Sequence, residues 1–290
     1  MTPTKTSGEN DLFIKKAEEV REREHRLTPS LRLRTLPDIV QFVHAKGLVS
    51  MLGGNELPSM ISAVLGKPWK SSAKGFTAWK EWWSLKIEDQ RLSKVLAELE
   101  RRDDILASRI FRRSKTLVSN TIWPILNPII EHHKNLAIRE KLVPPLELKL
   151  LDTIESEGSI RTDRLGKKLR LEDRENNYRF HRSLGSLESQ GLIVGAEDPN
   201  PERHLHANIW QTWEKRTRNA KKLAGASYGE MVAKLFEKTL DACVLAREAK
   251  VPEWYVWSND IQDAKEKLLK KGIIVRSGAF LIPFRIFDRS

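Results

Sequence analysis

Cysteine is almost missing from this chain: 290 residues hold one, Cys243. That excludes an internal disulfide and a cysteine-based zinc site, and it suits a reducing cytoplasm. No apolar run approaches the length that crosses a bilayer, so no membrane partner is expected. The opening MTPTKTSGENDLF has no apolar stretch behind its one lysine and does not read as a secretion signal. Walker loops, dinucleotide fingerprints and His-Glu-x-x-His motifs are absent too, and no cofactor is expected.

Positive charge is what the sequence has in excess. Lys and Arg number 51 against 39 Asp and Glu, a net +12 with a pI near 9.7. Such a field draws in polyanions, so nucleic acid is the favoured partner class. With 40% hydrophobic residues the chain has enough apolar material for two or three modest domains.

The pattern along the chain divides it into four. Residues 1–33 form a polar start followed by a charged helix from Asp11 to Arg26, read as an arm or surface helix. Residues 34–143 form a helical, winged-helix-like domain. Thr35 caps and Pro37 opens a first helix that ends at Gly47. Asn55 caps a second, stopped by Gly66 and Pro68, and a third runs from Ile87 to Leu106. Trp79, Trp82 and Trp83 cluster between them as core or a packing seam. SRIFRRSKTLV then mixes Arg109, Arg112, Arg113 and Lys115 into a β-prone stretch. His132 and His133 sit on a polar stretch and read as surface.

Pro144 and Pro145 mark a boundary, after which the rhythm becomes regular. Residues 144–222 give three helices and then a hairpin, Leu192 to Val194 returning from His204 to Trp210. That is the winged helix-turn-helix plan. Residues 223–290 repeat it, with a tight hairpin turning at Ser277-Gly278. The expected fold class is therefore mainly α (α+β): tandem winged helix-turn-helix modules with small β-hairpin wings.

In this motif the third helix enters the major groove. Phe180, Leu184 and Leu187 fall at helical spacing and fix its buried face, so Tyr178, Arg179 and Arg182 face outward. Arginine pairs with a guanine edge or a phosphate, and tyrosine stacks or donates. Arg161, Arg164, Lys167, Lys168, Lys215, Arg216 and Arg218 are placed as phosphate contacts, with Arg112 and Arg113 as further candidates. In the last module Asp263 and Glu266 share the outer face with Lys267 and Lys270, so that helix is expected to pack against neighbours. His204 and His206 share one strand face without a third ligand, and no metal is assigned.

FVHAKGLVSMLGGNELPSM, AWKEWW and the two C-terminal modules together resemble the crosslink-repair DNA glycosylases of the AlkZ type, over about Leu36 to Phe280. The resemblance implies a protein that cradles duplex DNA in a basic channel without metal or cofactor. Glycosylases of that group carry Gln-apolar-Gln or Gln-apolar-Asp after a Gly-Leu dipeptide, to position the attacking water. Here Gly47-Leu48 is followed by Val49-Ser50-Met51-Leu52. Ser50 and Leu52 stand in the two catalytic places, and Leu52 has no hydrogen-bonding side-chain atom. Glu56 and Glu81 are the nearest carboxylates able to substitute. The leading expectation is a cytoplasmic DNA binder of this kind that lacks the usual catalytic motif. A glycosylase of alkylated or crosslinked bases with a non-standard residue is the alternative, and a transcriptional regulator or protein-docking scaffold a second.

Overall fold

The computed structural model describes residues 7–69, 84–198, 207–220 and 225–287. The chain is mainly helical with small antiparallel sheets, and one plan occurs three times. In each unit a helix leads into a short strand, one or two further helices follow, and a hairpin returns. The first strand of each unit then pairs with the last, giving the spatial order first, third, second.

Helix α1 (Ser7–Glu24) precedes the first unit. That unit comprises α2 (Leu36–Lys46), β1 (Leu48–Ser50), α3 (Met60–Leu65), the two-residue strands β2 (Lys86–Ile87) and β3 (Gln90–Arg91), α4 (Leu92–Arg101), β4 (Ile105–Phe111) and β5 (Ser114–Ser119). Thr35 does cap α2, in a reciprocal box: its hydroxyl accepts from Asp38 N at 3.2 Å, and the Asp38 carboxylate accepts from Thr35 N at 3.0 Å. The cap of α3, however, is Ser59. Asn55 instead closes a local turn by accepting from Leu57 N at 3.0 Å, because Pro58 keeps the chain extended up to the helix. The helix expected over Ile87–Leu106 is shorter than read. Ile87 lies in a hairpin and Leu106 in β4, where apolar residues buried on both faces mimic helical spacing.

A connector, α5 (Trp123–Arg139), joins the first unit to the second. The second holds α6 (Pro145–Glu157), β6 (Ile160–Arg161), α7 (Thr162–Leu169), α8 (Arg174–Ser189), β7 (Ile193–Glu197), β8 (Asn208–Thr212) and the single turn α9 (Trp213–Arg216). The third holds α10 (Tyr228–Cys243), β9 (Ala246–Arg247), a 3-10 segment Glu248–Glu253, α11 (Ser258–Lys270), β10 (Ile274–Ser277) and β11 (Phe280–Pro283). The second helix expected of the repeated plan is thus a strand followed by 3-10 turns. Pro252 lacks the N–H an α-helix needs there.

The largest apolar cluster is continuous across units: Leu106 and Phe111 of β4, Ile129 of α5, Leu184 and Leu187 of α8, and Phe236 and Trp254 of the third unit belong to it. At about 2 kcal/mol per fully buried large side chain, such shared burial fuses the units. Helix α1 is held as well. Ala17, Phe13 and Val20 pack on Val244, Leu245, Ile282 and Ile286, and the buried His25 meets Ala242 O at 2.9 Å.

Candidate nucleic-acid interface

Asp173 caps α8, accepting from Asn176 N at 3.0 Å, and thereby sets the helix register. Phe180, Leu184 and Leu187 are buried beneath it. Gly191, at φ +75°, turns the chain into β7; a side chain there would meet Ile130 Cδ1 at 2.8 Å, so this close approach to α5 requires glycine. On the other face Tyr178 is 70% exposed, and Arg179, His181 and Arg182 are exposed beside it. Neither Arg179 nor Arg182 has an ion pair or side-chain hydrogen bond among the described residues. Arg164 and Lys167 on α7 are likewise exposed and unpaired. Lys168 is exposed but pairs with Glu157. Arg113, Lys215 and Arg218 are exposed on the hairpin turn and around α9.

Three of the arginines read as DNA contacts are committed elsewhere. Arg161, its side chain 12% exposed, lies between Asp163 at 2.9 Å and Asp198 at 3.0 Å. Arg112 takes both oxygens of Glu56 on Nη1, at 2.9 and 3.1 Å, and donates from Nη2 to Glu253 at 2.7 Å. Its backbone N–H also donates to Trp254 O at 2.8 Å, so the β4–β5 turn is docked on the third unit. Arg216 donates from Nη2 to the carbonyls of Glu100 at 3.0 Å, Arg102, and Ile105 at 3.2 Å. It thereby satisfies carbonyls that the end of α4 leaves open. Arg112 and Arg216 serve the joints between units, whereas Arg161 ties β6 to the residue after β7 within its own unit.

The residues that stand in the two catalytic places of the resemblance are also accounted for. Ser50 pairs with Thr116 across the sheet, and its Oγ accepts from Gly53 N at 3.0 Å and Asn55 Nδ2 at 3.4 Å. Leu52 packs at the margin of the first unit's core. Glu56 is the partner of Arg112 just described. Glu81, the three tryptophans Trp79, Trp82 and Trp83, and the pair His204 and His206 lie outside the described residues. No group of three side chains able to hold a metal ion occurs among the described residues.

Sequence reading missed two polar clusters. Glu188, near the end of α8 with its side chain 4% exposed, has Arg109 Nε at 3.2 Å and Lys115 Nζ at 4.0 Å. Burial pushes its carboxyl pKa up, against the pull of both cations. Lys115 also reaches Glu100 at 3.5 Å and donates to Gly195 O at 3.2 Å, so the cluster joins the first and second units. The reading of His133 as surface is corrected. Its Nε2 lies 3.1 Å from Asp260 and 2.7 Å from Tyr228 Oη, and its ring stacks on Trp257 at 5.2 Å. Burial lowers its pKa, with Asp260 opposing. The only sequence trace of either cluster is charge embedded in an apolar run.

A model of the AlkZ-related family matches residues 33–253. Among solved structures, the DNA glycosylase AlkZ of Streptomyces sahachiroi superposes with a TM-score of 0.53 at 11% identity, covering 94% of this chain and 70% of that one. At that identity the likeness is one of fold. No curated protein sequence matches.

Proposed function

This chain belongs to the AlkZ-related family, and from that premise we propose that it is a cytoplasmic DNA-binding protein that grips duplex DNA through the outer faces of α7 and α8. Its units are winged helices. The reading is supported by the helix–strand–helix–helix–hairpin order of the second unit and the first-third-second strand order in all three sheets. In that plan α8 is the groove helix, with Tyr178, Arg179 and Arg182 toward the bases. Arg164, Lys167, Lys168, Lys215 and Arg218 contact the phosphates, and Arg113 lies on the adjoining hairpin turn. The observation that carries the proposal is that Arg179 and Arg182 are exposed beside Tyr178 and unpaired among the described residues, in a chain that neutralises Arg112, Arg161 and Arg216 internally.

Base excision by the family's usual route is not part of this function. Leu52 cannot orient water, Ser50 Oγ serves its own loop, and Glu56 is clamped by Arg112. The test is titration of a labelled duplex from 50 to 200 mM salt. Neutralising roughly six phosphates lowers affinity about a thousandfold over that range. Arg179→Glu with Arg182→Glu weakens binding at least tenfold. A flat salt response, or a double variant that binds as tightly as the parent, overturns the interface. Alkylated duplex heated in alkali after incubation reports excision directly, and strand breaks there would restore the glycosylase alternative.

A further inference from the structure

We propose a second phosphate-binding site, near the start of the sequence: the arginine-lined cleft between the end of α1, the segment that follows it, and α2. It rests on the duplex-binding reading and adds a backbone contact that no motif in the sequence announces.

The cleft is open, about 590 Å³, and lined by Arg23, Arg26, Arg32, Arg34 and Lys46, with Glu24 and Asp38 as its two carboxylates. Both carboxylates are occupied. Glu24 pairs with Lys46, and Asp38 accepts the backbone N–H groups of Arg34 at 3.2 Å and Thr35 at 3.0 Å. The four guanidinium groups have no ion pair among the described residues. Arg32 and Arg34 flank Leu33, which is buried, so the extended segment places both arginines on the side away from the core. Arg26 approaches from the end of α1, where it takes the left-handed conformation at φ +60° that glycine or asparagine usually fills.

The arginines stand on a fixed support. Leu33 N donates to Ala63 O at 2.9 Å, and Leu31 N to Thr28 O at 3.0 Å. The segment lies so close to Gly66 that a methyl group there would come within 2.8 Å of Pro29 Cα and of Thr28 O. Guanidinium groups held in place lose little freedom on pairing, and each matches two phosphate oxygens. Four of them on two chain segments exceed what one small anion satisfies. They suit a run of phosphodiesters, and with the second unit reading a groove, that run is the flanking backbone of the same duplex.

The test uses the full chain and a labelled duplex, with circular dichroism confirming that each variant is folded. Arg32→Glu with Arg34→Glu is expected to weaken binding about tenfold or more at 100 mM salt and to lower the slope of log affinity against log salt by about two. Gly66→Ala changes no charge, yet shifts the segment, and is expected to weaken binding severalfold with a nearly unchanged slope. If Arg32→Glu with Arg34→Glu binds with the parent's affinity and slope while Arg179→Glu with Arg182→Glu does not, the cleft is refuted and the groove helix stands. If the first pair weakens binding and the second does not, the cleft stands and the groove helix falls. Displacement of the duplex by millimolar inorganic phosphate at constant ionic strength, lost in Arg32→Glu with Arg34→Glu, would make the cleft a small-anion site and overturn the backbone assignment.

Discussion

Arg182 and Arg216 are the same side chain in the same unit, and the structure gives them opposite fates. Arg182 rides on the outer face of α8 with water around it. Arg216 is turned inward, 15% exposed, onto three carbonyls that run from the end of α4 to the start of β4. The count of 51 Lys and Arg therefore overstates the cationic surface, because Arg112 and Arg216 are absorbed by the joints between units and Arg161 by two carboxylates of its own unit. Charge alone says that a polyanion is attracted; only the partners of each arginine say where it is met.

The contrast can be broken by substitution, and stability ranks the outcomes. Arg216→Ala has the largest effect, because it leaves the carbonyls of a half-buried helix end unpaired. A loss of about 3 kcal/mol is expected in denaturant unfolding, with duplex affinity of the folded fraction unchanged within twofold. If affinity drops and stability does not, Arg216 belongs with Arg182 after all.

The next effect is on pH. Burial, aided by the nearby Arg21 charge, lowers the His25 pKa to about 3 from an unfolded value of 6.5. The folded state thus refuses a proton that the unfolded chain accepts. The stability contribution is complete above pH 6.5 and falls as pH drops from there toward 3, reaching a loss of about 2 kcal/mol at pH 5. His25→Gln should flatten the stability profile between pH 7 and 5, and an unchanged slope in that variant would place the acid sensitivity elsewhere.

Glu248 comes third. Hydrogen bonds from Arg276, at 2.6 Å to each oxygen, and then from Lys265 hold its pKa near 2. A depressed carboxylate stabilises above its unfolded pKa near 4.5 and stops doing so as pH falls through about 2. Water screens this partly exposed pair, so Glu248→Gln should cost about 1–2 kcal/mol at pH 7. The difference from the parent should close as pH falls from 4.5 toward 2. The smallest effect belongs to Arg179→Glu with Arg182→Glu. These should shift stability by no more than about 0.5 kcal/mol while acting on duplex affinity, and calorimetry alongside binding separates the two.

What the sequence made legible was local. The Thr35 cap, the glycine stops and the inward face of α8 follow from residues within a few positions of one another, whereas the cap read at Asn55 belongs to Ser59. The repeat in the third unit was visible for the same reason. Its second helix was misread because a strand and a 3-10 turn share the apolar spacing of a short helix, and only Pro252 hinted otherwise. The strand pairing of the first unit joins Leu48 to Val118, a separation no periodicity reports. The candidate interface divided along the same line. Exposure of Arg179 and Arg182 follows from helix geometry, whereas the capture of Arg161 by Asp198 depends on the course of the intervening chain. His133 was misjudged on the same ground, its carboxylate arriving from α11.

One feature of the first helix carries further than its length suggests. Ala17 and Val20 cover Val244, Leu245, Ile282 and Ile286, while the residues just beyond them lead into the first unit. The helix therefore works as a strap drawn across the third unit and buckled to the first. Loosening it would wet the apolar side of the last hairpin and slacken the segment bearing Arg32 and Arg34 in a single event, so unfolding that begins at this strap would reach both ends of the molecule together.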